Sequence, residues 1–219
     1  MAESVFVVIE GGDCTGKSIQ MGFLVSAMKA AGIEAIDTHE PGGTDAGEMI
    51  RSVLIGKGSP EMSAQTELFL FLAARSAWIG DVVKPTMGRG VSVVADRSFP
   101  STEAYQGHAG GISIEEIRQM NAIAMGGVVP DLVIIIDIAY ETMVERMKAR
   151  GEGRDRIEDK GPEFHKSVLD GYRQFAEDNT QDNVVLVDGE GSIEDVHRAI
   201  VAKVNEHLGL GIEVVPVNR

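Results

Sequence analysis

A segment close to the N-terminus has the residue types and the spacing of a phosphate-binding loop. Gly11, Gly16, Lys17 and Ser18 fit the pattern G-x-x-x-x-G-K-[ST] and lie between an apolar run and a segment of helical composition. Glycines let several backbone N–H groups point at a polyphosphate, and the start of a helix adds a partial positive charge. Lys17 is then expected to reach the outer phosphates and Ser18 to bind Mg²⁺. The alternative is an ordinary glycine-rich turn between a strand and a helix.

Such a loop predicts a bound nucleoside triphosphate but leaves the fate of the γ-phosphate open. A phosphotransferase passes this group to a second bound molecule, whereas a switch or motor NTPase passes it to water. The guanine-reading sequence Asn-Lys-x-Asp is absent from the chain, which argues against a GTPase switch. A phosphotransferase needs a second anion site and a means of excluding water, so the positions of the arginines become informative.

Cations are concentrated between Arg146 and Arg156. The segment reads RMKARGEGRDR and has five cations against two acids, a net charge of +3. Its glycine-rich, polar composition predicts a mobile lid over about residues 150–161, and the alternative is a solvated loop that ends a helix. Three arginines of the lid are predicted to close over the phosphates and stabilise the transition state, namely Arg150, Arg154 and Arg156. Arg51, Arg75 and Arg97 would form a monophosphate site if the fold brings them together, which spacing alone cannot show.

The chain as a whole is acidic. Its 219 residues include 20 Lys and Arg and 34 Asp and Glu, which gives a formal net charge of −14 and disfavours nucleic acid as a partner. The single cysteine, Cys14, excludes an internal disulfide and favours a reducing compartment. No segment resembles a signal peptide, and the longest apolar run, 128–138, is interrupted and too short to span a bilayer. The sequence therefore predicts a cytoplasmic protein without nucleic-acid or membrane partners.

Short apolar runs alternate with longer segments of helical period. The runs predict strands at Val5–Glu10, Glu34–Asp37, Val91–Asp96, Leu132–Asp137 and Val184–Val187. The segments between them predict helices at Met21–Ala31, Ala46–Leu54, Ala64–Val83, Ile114–Met125, Tyr140–Ala149, Glu163–Asp178 and Ile193–Leu208. This alternation predicts an α/β fold in which a parallel five-stranded sheet is flanked by helices. We expect one domain over residues 1–219, with the tail at 209–219 the least defined part.

The chain resembles the thymidylate kinase family from about Phe6 to Asp188. Six motifs occur in the family's order, namely EGGDCTGKS, EPGGT followed by Arg51, FLAAR, DRSFPSTEAYQG, PDLVIIID and DRIE. The resemblance implies a three-layer P-loop kinase fold and transfer of the γ-phosphoryl group of ATP to dTMP, giving dTDP, with Mg²⁺. It also implies a homodimer. Two alternatives stay open, a related nucleotide kinase with another acceptor base and a P-loop ATPase that couples hydrolysis to a partner protein.

The resemblance assigns the donor side of the reaction to the phosphate-binding loop. The ATP phosphates are expected to lie on the stretch Gly11, Gly12, Asp13, Cys14, Thr15, Gly16, Lys17, Ser18 and Ile19. Ser18 and Asp96 are the expected metal ligands, because Asp96 ends an apolar strand and belongs to a family motif, whereas Asp137 ends a strand without such a motif. The expected catalytic cations are Lys17, Arg97, Arg150, Arg154 and Arg156.

The same resemblance assigns the acceptor side. Arg51 and Arg97 are expected to hold the acceptor phosphate, and Asp13 to face the 3′-hydroxyl of deoxyribose. Tyr105 would crowd the 2′ position and disfavour ribonucleotides. Further residues expected to bind dTMP are Glu40, Pro41, Phe71 stacked on thymine, Arg75 on its edge, Ser101, Thr102 and Gln106. Without the resemblance, Phe71 would be assigned to the core, because its helix carries several other apolar residues.

Three positions depart from the family's pattern. Cys14 stands where some relatives have an arginine inside the loop, and the arginines after residue 149 instead resemble the subtype whose catalytic arginine is in the lid. Ile19 replaces the usual threonine after Ser18. His39 stands where an arginine often precedes Glu40. Ile19 is therefore expected to alter the contacts near the α-phosphate while leaving Ser18 for the metal, and the family's arginine contact at residue 39 is not carried over to this chain.

Overall fold

The computed structural model describes residues 4–56, 58–151, 153, 155–179 and 183–216, and these contain a parallel sheet of five strands in the order β2-β3-β1-β4-β5. The strands are β1 (Phe6–Glu10), β2 (Ala35–His39), β3 (Ser92–Asp96), β4 (Leu132–Asp137) and β5 (Val184–Asp188). β1 lies at the centre, with Ile9 opposite Asp96 on one side and Ile134 on the other. The predicted parallel sheet of an α/β fold is therefore confirmed.

Helices cover both faces of the sheet. They are α1 (Lys17–Ala30), α2 (Asp45–Ile55), α3 (Ala64–Trp78), α4 (Lys84–Met87), α5 (Phe99–Thr102), α6 (Ile114–Met125), α7 (Tyr140–Arg150), α8 (Pro162–Asp178) and α9 (Ile193–Leu208). Two π-helical turns, Ile79–Val83 and Glu103–His108, follow α3 and α5. Hydroxyl side chains begin four of the helices, because they accept a hydrogen bond from an N–H group of the first turn; these residues are Thr44, Ser63, Ser113 and Ser192.

Two apolar clusters bury the sheet between them. The inner strands β1, β3 and β4 are buried on both faces because helices cover each face. One cluster packs the sheet against α1 and α9 and includes Val7, Ile9, Leu24, Ile134 and Ile200. The other packs it against α3, α8 and the segment after α5, and includes Phe6, Val8, Trp78, Ile135 and Tyr172. The two clusters leave the carboxyl ends of the strands as the place where polar loops meet.

The helix predicted over Ala64–Val83 is divided in the structure. α3 ends at Trp78, a π-helical turn covers Ile79–Val83, and α4 begins at Lys84. Pro85 accounts for the division, because it lacks an N–H group and its ring collides with the carbonyl four residues earlier, which a wider turn relieves. The helical segment 99–108 is not predicted at all, since it is short and its proline and glycine are typical of a loop.

The first helix also starts earlier than predicted. It begins at Lys17 and not at Met21, directly after Gly16, whose φ of 92° lets the chain turn into the helix. Within the described ranges, no helix combines the length and the apolar character needed to cross a membrane. The expectation of a single domain over residues 1–219 stays a prediction.

Candidate active site

A cleft of about 460 Å³ lies at the carboxyl ends of the central strands, where open α/β sheets bind their ligands. It brings together most of the site residues predicted from the sequence. These are Asp13, Cys14, Lys17, Ser18, Glu40, Pro41, Arg51, Phe71, Asp96, Arg97, Ser101, Thr102, Tyr105, Gln106 and Arg150. The fold therefore supplies the convergence of charged and aromatic groups that the spacing along the chain could not establish.

The loop between β1 and α1 has the backbone that its glycines predict. Gly11 and Gly16 have φ angles of 137° and 92°, which residues with a side chain rarely adopt. A Cβ atom at Gly11 would also overlap the carbonyl oxygen of Ile136. Lys17 and Ser18 begin α1 and line the cleft. The N-terminal end of α1 therefore faces the cleft, where its partial positive charge favours an anion.

The ammonium group of Lys17 lies within this loop. Its Nζ atom donates to the carbonyl of Gly12 at 2.6 Å and to Oγ1 of Thr15 at 3.4 Å. Burial and the nearby Arg97 lower the pKa of Lys17 to about 8, although neighbouring carboxylates favour the charged form. A phosphate beside Lys17 would favour its charged form further, so the side chain is suited to neutralise phosphate charge.

Arg97, directly after β3, is held by several partners and has a φ of 72°. Its Nη2 atom donates to Oδ1 of Asp13 at 2.7 Å and to the hydroxyl of Tyr105 at 3.1 Å. Its Nη1 atom donates to the carbonyl of Gly11 at 3.1 Å and to the hydroxyls of Ser101 at 3.3 Å and Tyr172 at 2.9 Å. Burial opposes ionisation of Asp13, but the neighbouring cations hold its pKa below the usual value. The guanidinium group is therefore fixed beside the phosphate-binding loop.

Glu10 supports Arg97 from within the fold, although it is not among the site residues predicted from the sequence. Its buried carboxylate accepts hydrogen bonds from the backbone N–H of Ser98 at 2.7 Å, Oγ of Ser101 at 2.8 Å and the hydroxyl of Tyr172 at 2.9 Å. Burial raises the pKa of Glu10, and Arg97 opposes this shift. Glu10 thus orients Ser101 and Tyr172, which both accept hydrogen bonds from Arg97.

Ser18 and Asp96 form a pair at the floor of the cleft. The hydroxyl of Ser18 donates a hydrogen bond to Oδ2 of Asp96. Mg²⁺ binds proteins through one or two oxygen ligands together with substrate phosphates, so this hydroxyl and carboxylate fit the predicted metal. In the part of the chain that the structure describes, no three His, Cys, Asp or Glu side chains are grouped to hold a metal by themselves. A site completed by phosphates does not need such a group.

A second part of the cleft wall has the residues expected for the acceptor. Phe71, Thr102 and Gln106 line it with aromatic, hydroxyl and amide groups. Arg51 lines it as well, and its Nη1 atom donates to the carbonyl of Pro41 at 2.8 Å. This combination can contact a flat base and an anionic group within one cavity.

Arg75 is buried behind this wall and is not among the residues that line the cleft. Its Nε atom donates to Oε2 of Glu40 at 3.0 Å, and its Nη2 atom lies 2.7 Å from Oε1. Its Nη1 atom donates to Oδ1 of Asn121 at 2.6 Å and to Oγ1 of Thr102 at 3.3 Å. Burial raises the pKa of Glu40 to about 7, and Arg75 only partly opposes this shift. The contact of Arg75 with the edge of a base stays a prediction.

The predicted lid arginines occupy different environments. Arg150 lines the cleft, and its Nη2 atom donates to Oε2 of Glu158 at 2.6 Å. Arg156 is instead tied to α2 and α3, because it donates to Oε1 of Glu67 at 2.6 Å and to the carbonyl of Leu54 at 3.1 and 3.2 Å. Arg154 lies outside the described residues. Closure of this segment over the phosphates stays a prediction.

A second hollow of about 490 Å³ adjoins the phosphate-binding loop on the side of α9. The loop and α1 contribute Cys14, Thr15, Gly16, Ile19 and Gln20. The other residues that line it are not predicted from the sequence; they include Arg146, Gly189, Gly191, Ser192 and Ile193. Arg146 belongs to the cation-rich segment, and residues 189–191 form a glycine-rich turn after β5, but neither signal by itself indicates a binding site. Because Cys14 lines both cavities, the phosphate-binding loop is their common wall.

Comparison with known proteins agrees with this geometry. A sequence model of the thymidylate kinase family matches residues 9–200. The chain is 41% identical over 204 residues to a thymidylate kinase of Fervidobacterium nodosum, an alignment that covers 93% of this chain and 100% of that protein. It is 38% identical over 210 residues to a thymidylate kinase of Caulobacter vibrioides, covering 96% of this chain and 100% of that protein. A thymidylate kinase of Sulfurihydrogenibium is 37% identical over 196 residues, covering 90% and 94%.

Proposed function

The chain belongs to the thymidylate kinase family, and we propose that the cleft described above carries out the family's reaction, in which ATP phosphorylates dTMP to give dTDP and ADP. The observation that carries this assignment is the convergence of Lys17, the Ser18–Asp96 pair and Arg97 in one cleft with Phe71 and Gln106. A phosphate-binding loop alone would suit any nucleotide hydrolase. A second cation beside an aromatic wall in the same cavity suits a second bound nucleotide.

On the donor side, ATP lies along the phosphate-binding loop with its phosphates at the start of α1. Its nucleoside occupies the adjoining hollow, where the exposed apolar side chains of Ile19 and Ile193 and the guanidinium group of Arg146 can pack on a base. Ser18 and Asp96 would hold Mg²⁺, which when bound neutralises charge on the phosphates. The oxygen-donor pair at the loop supports this part of the proposal.

On the acceptor side, Arg51 and Arg97 meet the phosphate of dTMP and Phe71 stacks on its thymine. Tyr105 and Asp13 face the sugar from the cleft wall, where the hydroxyl of Tyr105 donates to Oδ1 of Asp13 at 3.2 Å. The P–O bond between the γ-phosphorus and the β,γ-bridging oxygen breaks as a bond forms to an oxygen of dTMP. The acceptor is already an anion and needs no general base. Catalysis then consists of positioning and of charge neutralisation by Lys17 and the arginines.

An assay of ADP release from ATP against a panel of nucleoside monophosphates tests this function. We expect dTMP to be the best acceptor and dUMP a poorer one, because one methyl group in a pocket contributes about 1–3 kcal/mol. ADP release at a rate that does not depend on the acceptor would favour a P-loop ATPase. A preference for dCMP, dGMP or AMP would favour another nucleotide kinase. A Lys17→Ala preparation assayed in parallel controls for contaminating kinases.

We further propose that the protein is a cytoplasmic homodimer. Cytoplasmic location is supported by the single cysteine, Cys14, which is not part of a disulfide. The dimer is supported by exposed apolar side chains on the adjacent helices α2, α3 and α6, namely Met49, Val53, Phe69 and Ile123, of which Ile123 is 80% exposed. Apolar groups gathered on one face are typical of a surface that another protein covers.

A further inference from the structure

Glu67 is a buried acid of α3 that neither the sequence motifs nor the cleft wall singles out. It is 1% exposed. The Nε2 atom of Gln106 donates to its Oε2 atom at 3.0 Å. Arg156 and Lys160 donate to its Oε1 atom at 2.6 and 3.0 Å. One carboxylate therefore joins the π-helical turn that carries Gln106 to the segment that carries Arg156.

The hydrogen bonds around Glu67 keep it ionised. Burial opposes the charged form, but the bonds from Arg156, Lys160 and Gln106 outweigh burial, and the pKa of Glu67 lies below its usual value. An ionised carboxylate accepts hydrogen bonds and donates none. Glu67 can therefore pair only with the NH₂ group of the Gln106 amide.

This pairing fixes the orientation of the Gln106 amide. Because its NH₂ group faces Glu67, its oxygen is directed away from Glu67. Gln106 also lines the cleft, so the amide oxygen is the group that it offers to a bound acceptor. Without a carboxylate beside it, the amide could turn and offer either an acceptor or a donor.

We propose that Glu67 is a positioning residue for base selection, which holds the Gln106 oxygen toward the cleft and so favours an acceptor base with a ring N–H group, such as thymine, over cytosine. This inference rests on the proposed function, since it requires the acceptor base to bind at Gln106. The N3 atom of thymine carries a hydrogen that the amide oxygen can accept. The N3 atom of cytosine is itself an acceptor, so two acceptors would face each other and both would lose a partner.

The test is the ratio of kcat/KM for dTMP to kcat/KM for dCMP. In Glu67→Gln, residue 67 can donate or accept, so Gln106 can turn and the ratio should fall by about tenfold or more, as expected for one buried group left unpaired. Gln106→Met should lower the ratio as well. Adding Glu67→Gln to Gln106→Met should then cause no further fall, because Glu67 acts through Gln106.

Two matched controls separate this effect from general loss of a buried acid. Glu103→Gln neutralises a second buried carboxylate, which lies on the π-helical turn that carries Gln106 and pairs with Arg118 at 2.9 Å. This variant should leave the ratio unchanged. Lys160→Gln removes one ion pair of Glu67 but leaves its bonds to Arg156 and Gln106, and should also preserve the ratio.

An unchanged ratio in Glu67→Gln, or a further fall when it is added to Gln106→Met, would overturn the proposal. If Glu67→Gln does not fold, because two cations lose their counterion, Glu67→Asp is measured with the same expectation, since it keeps the charge but shortens the side chain that reaches Gln106. A wild-type protein that does not phosphorylate dTMP would instead refute the proposed function. The two failures are therefore distinguishable.

Discussion

The pKa of about 8 at Lys17 predicts how capture of ATP depends on pH. As pH rises through about 8, the free enzyme loses this charge, so kcat/KM for ATP should fall. Turnover at saturating ATP should persist to higher pH, because bound phosphates favour the ammonium form. The pKa of Lys17 in the folded protein lies below the usual 10.5. The unfolded chain therefore binds more protons between about pH 8 and pH 10.5, and the free energy of unfolding should rise with pH across this range. Profiles of kcat and kcat/KM against pH check the prediction, and a level kcat/KM would contradict it.

Replacing Lys17 by alanine tests its charge directly. Lys17→Ala should lower kcat by about a hundredfold or more, because the ammonium group stabilises charge on the transferring phosphoryl group. The fold should be retained, because burial disfavours the charge that the substitution removes. Lys29→Ala, at the exposed end of the same helix, is the control. Near-normal turnover in Lys17→Ala would contradict the assignment of the phosphate-binding loop.

Tyr105 is the residue expected to choose between sugars. A buried 2′-hydroxyl without room or a partner costs about 1–3 kcal/mol, so UMP should be rejected more strongly than dUMP. Tyr105→Phe keeps the ring and should keep most of this discrimination, whereas Tyr105→Ala should relax it. Arg75→Ala should instead raise KM for dTMP with little effect on sugar preference. The measurement is kcat/KM for dTMP, dUMP and UMP, and an unchanged dUMP-to-UMP ratio in Tyr105→Ala would remove Tyr105 from this role.

At the scale of elements, the segment after α7 makes the sharpest prediction. Alanine replacement of Arg150, Arg154 or Arg156 should reveal at least one arginine whose loss lowers kcat much more than it raises KM for dTMP. Loss of Arg156 should also lower the melting temperature, because Arg156 ties this segment to Glu67. Arg198→Ala, which removes an exposed ion pair with Asp195, is the control. If all three replacements leave kcat unaltered, the prediction of a catalytic lid is wrong.

The elements differ in how far the sequence predicts them. Strand β4 reads LVIIID and is buried from Leu132 to Ile136, a pattern that the environment of an internal parallel strand imposes. The π-helical turn at Glu103–His108 has no period of its own over so few residues, so the sequence gives no signal for it. The phosphate-binding loop is predictable because it is contiguous. The contacts of Glu67 with Arg156 and of Glu10 with Tyr172 cannot be predicted in this way, because the partners lie 89 and 162 positions apart in the sequence.

At the scale of the whole molecule, the apolar face of α2, α3 and α6 predicts the assembly state. Phe69→Asp and Ile123→Asp place charges on this face, and each should shift the protein from dimer to monomer, because a charge buried in an interface without a partner is costly. Leu186→Asp, at an exposed leucine of the edge strand β5, is the matched control. Light scattering coupled to size-exclusion chromatography measures the mass, and a monomeric wild type would refute the proposed dimer.

The pairing of cleft arginines with acids has a consequence for how nucleotides arrive. Arg97 lies 2.7 Å from Asp13 and Arg150 lies 2.6 Å from Glu158, in a chain with a net charge of −14. An approaching nucleotide anion is therefore repelled at long range and is attracted only at short range, where its phosphates can replace the paired carboxylates. Dissolved salt screens such repulsion beyond about 10 Å at 0.1 M. Moderate salt then eases the encounter with nucleotides, the reverse of what electrostatic steering produces.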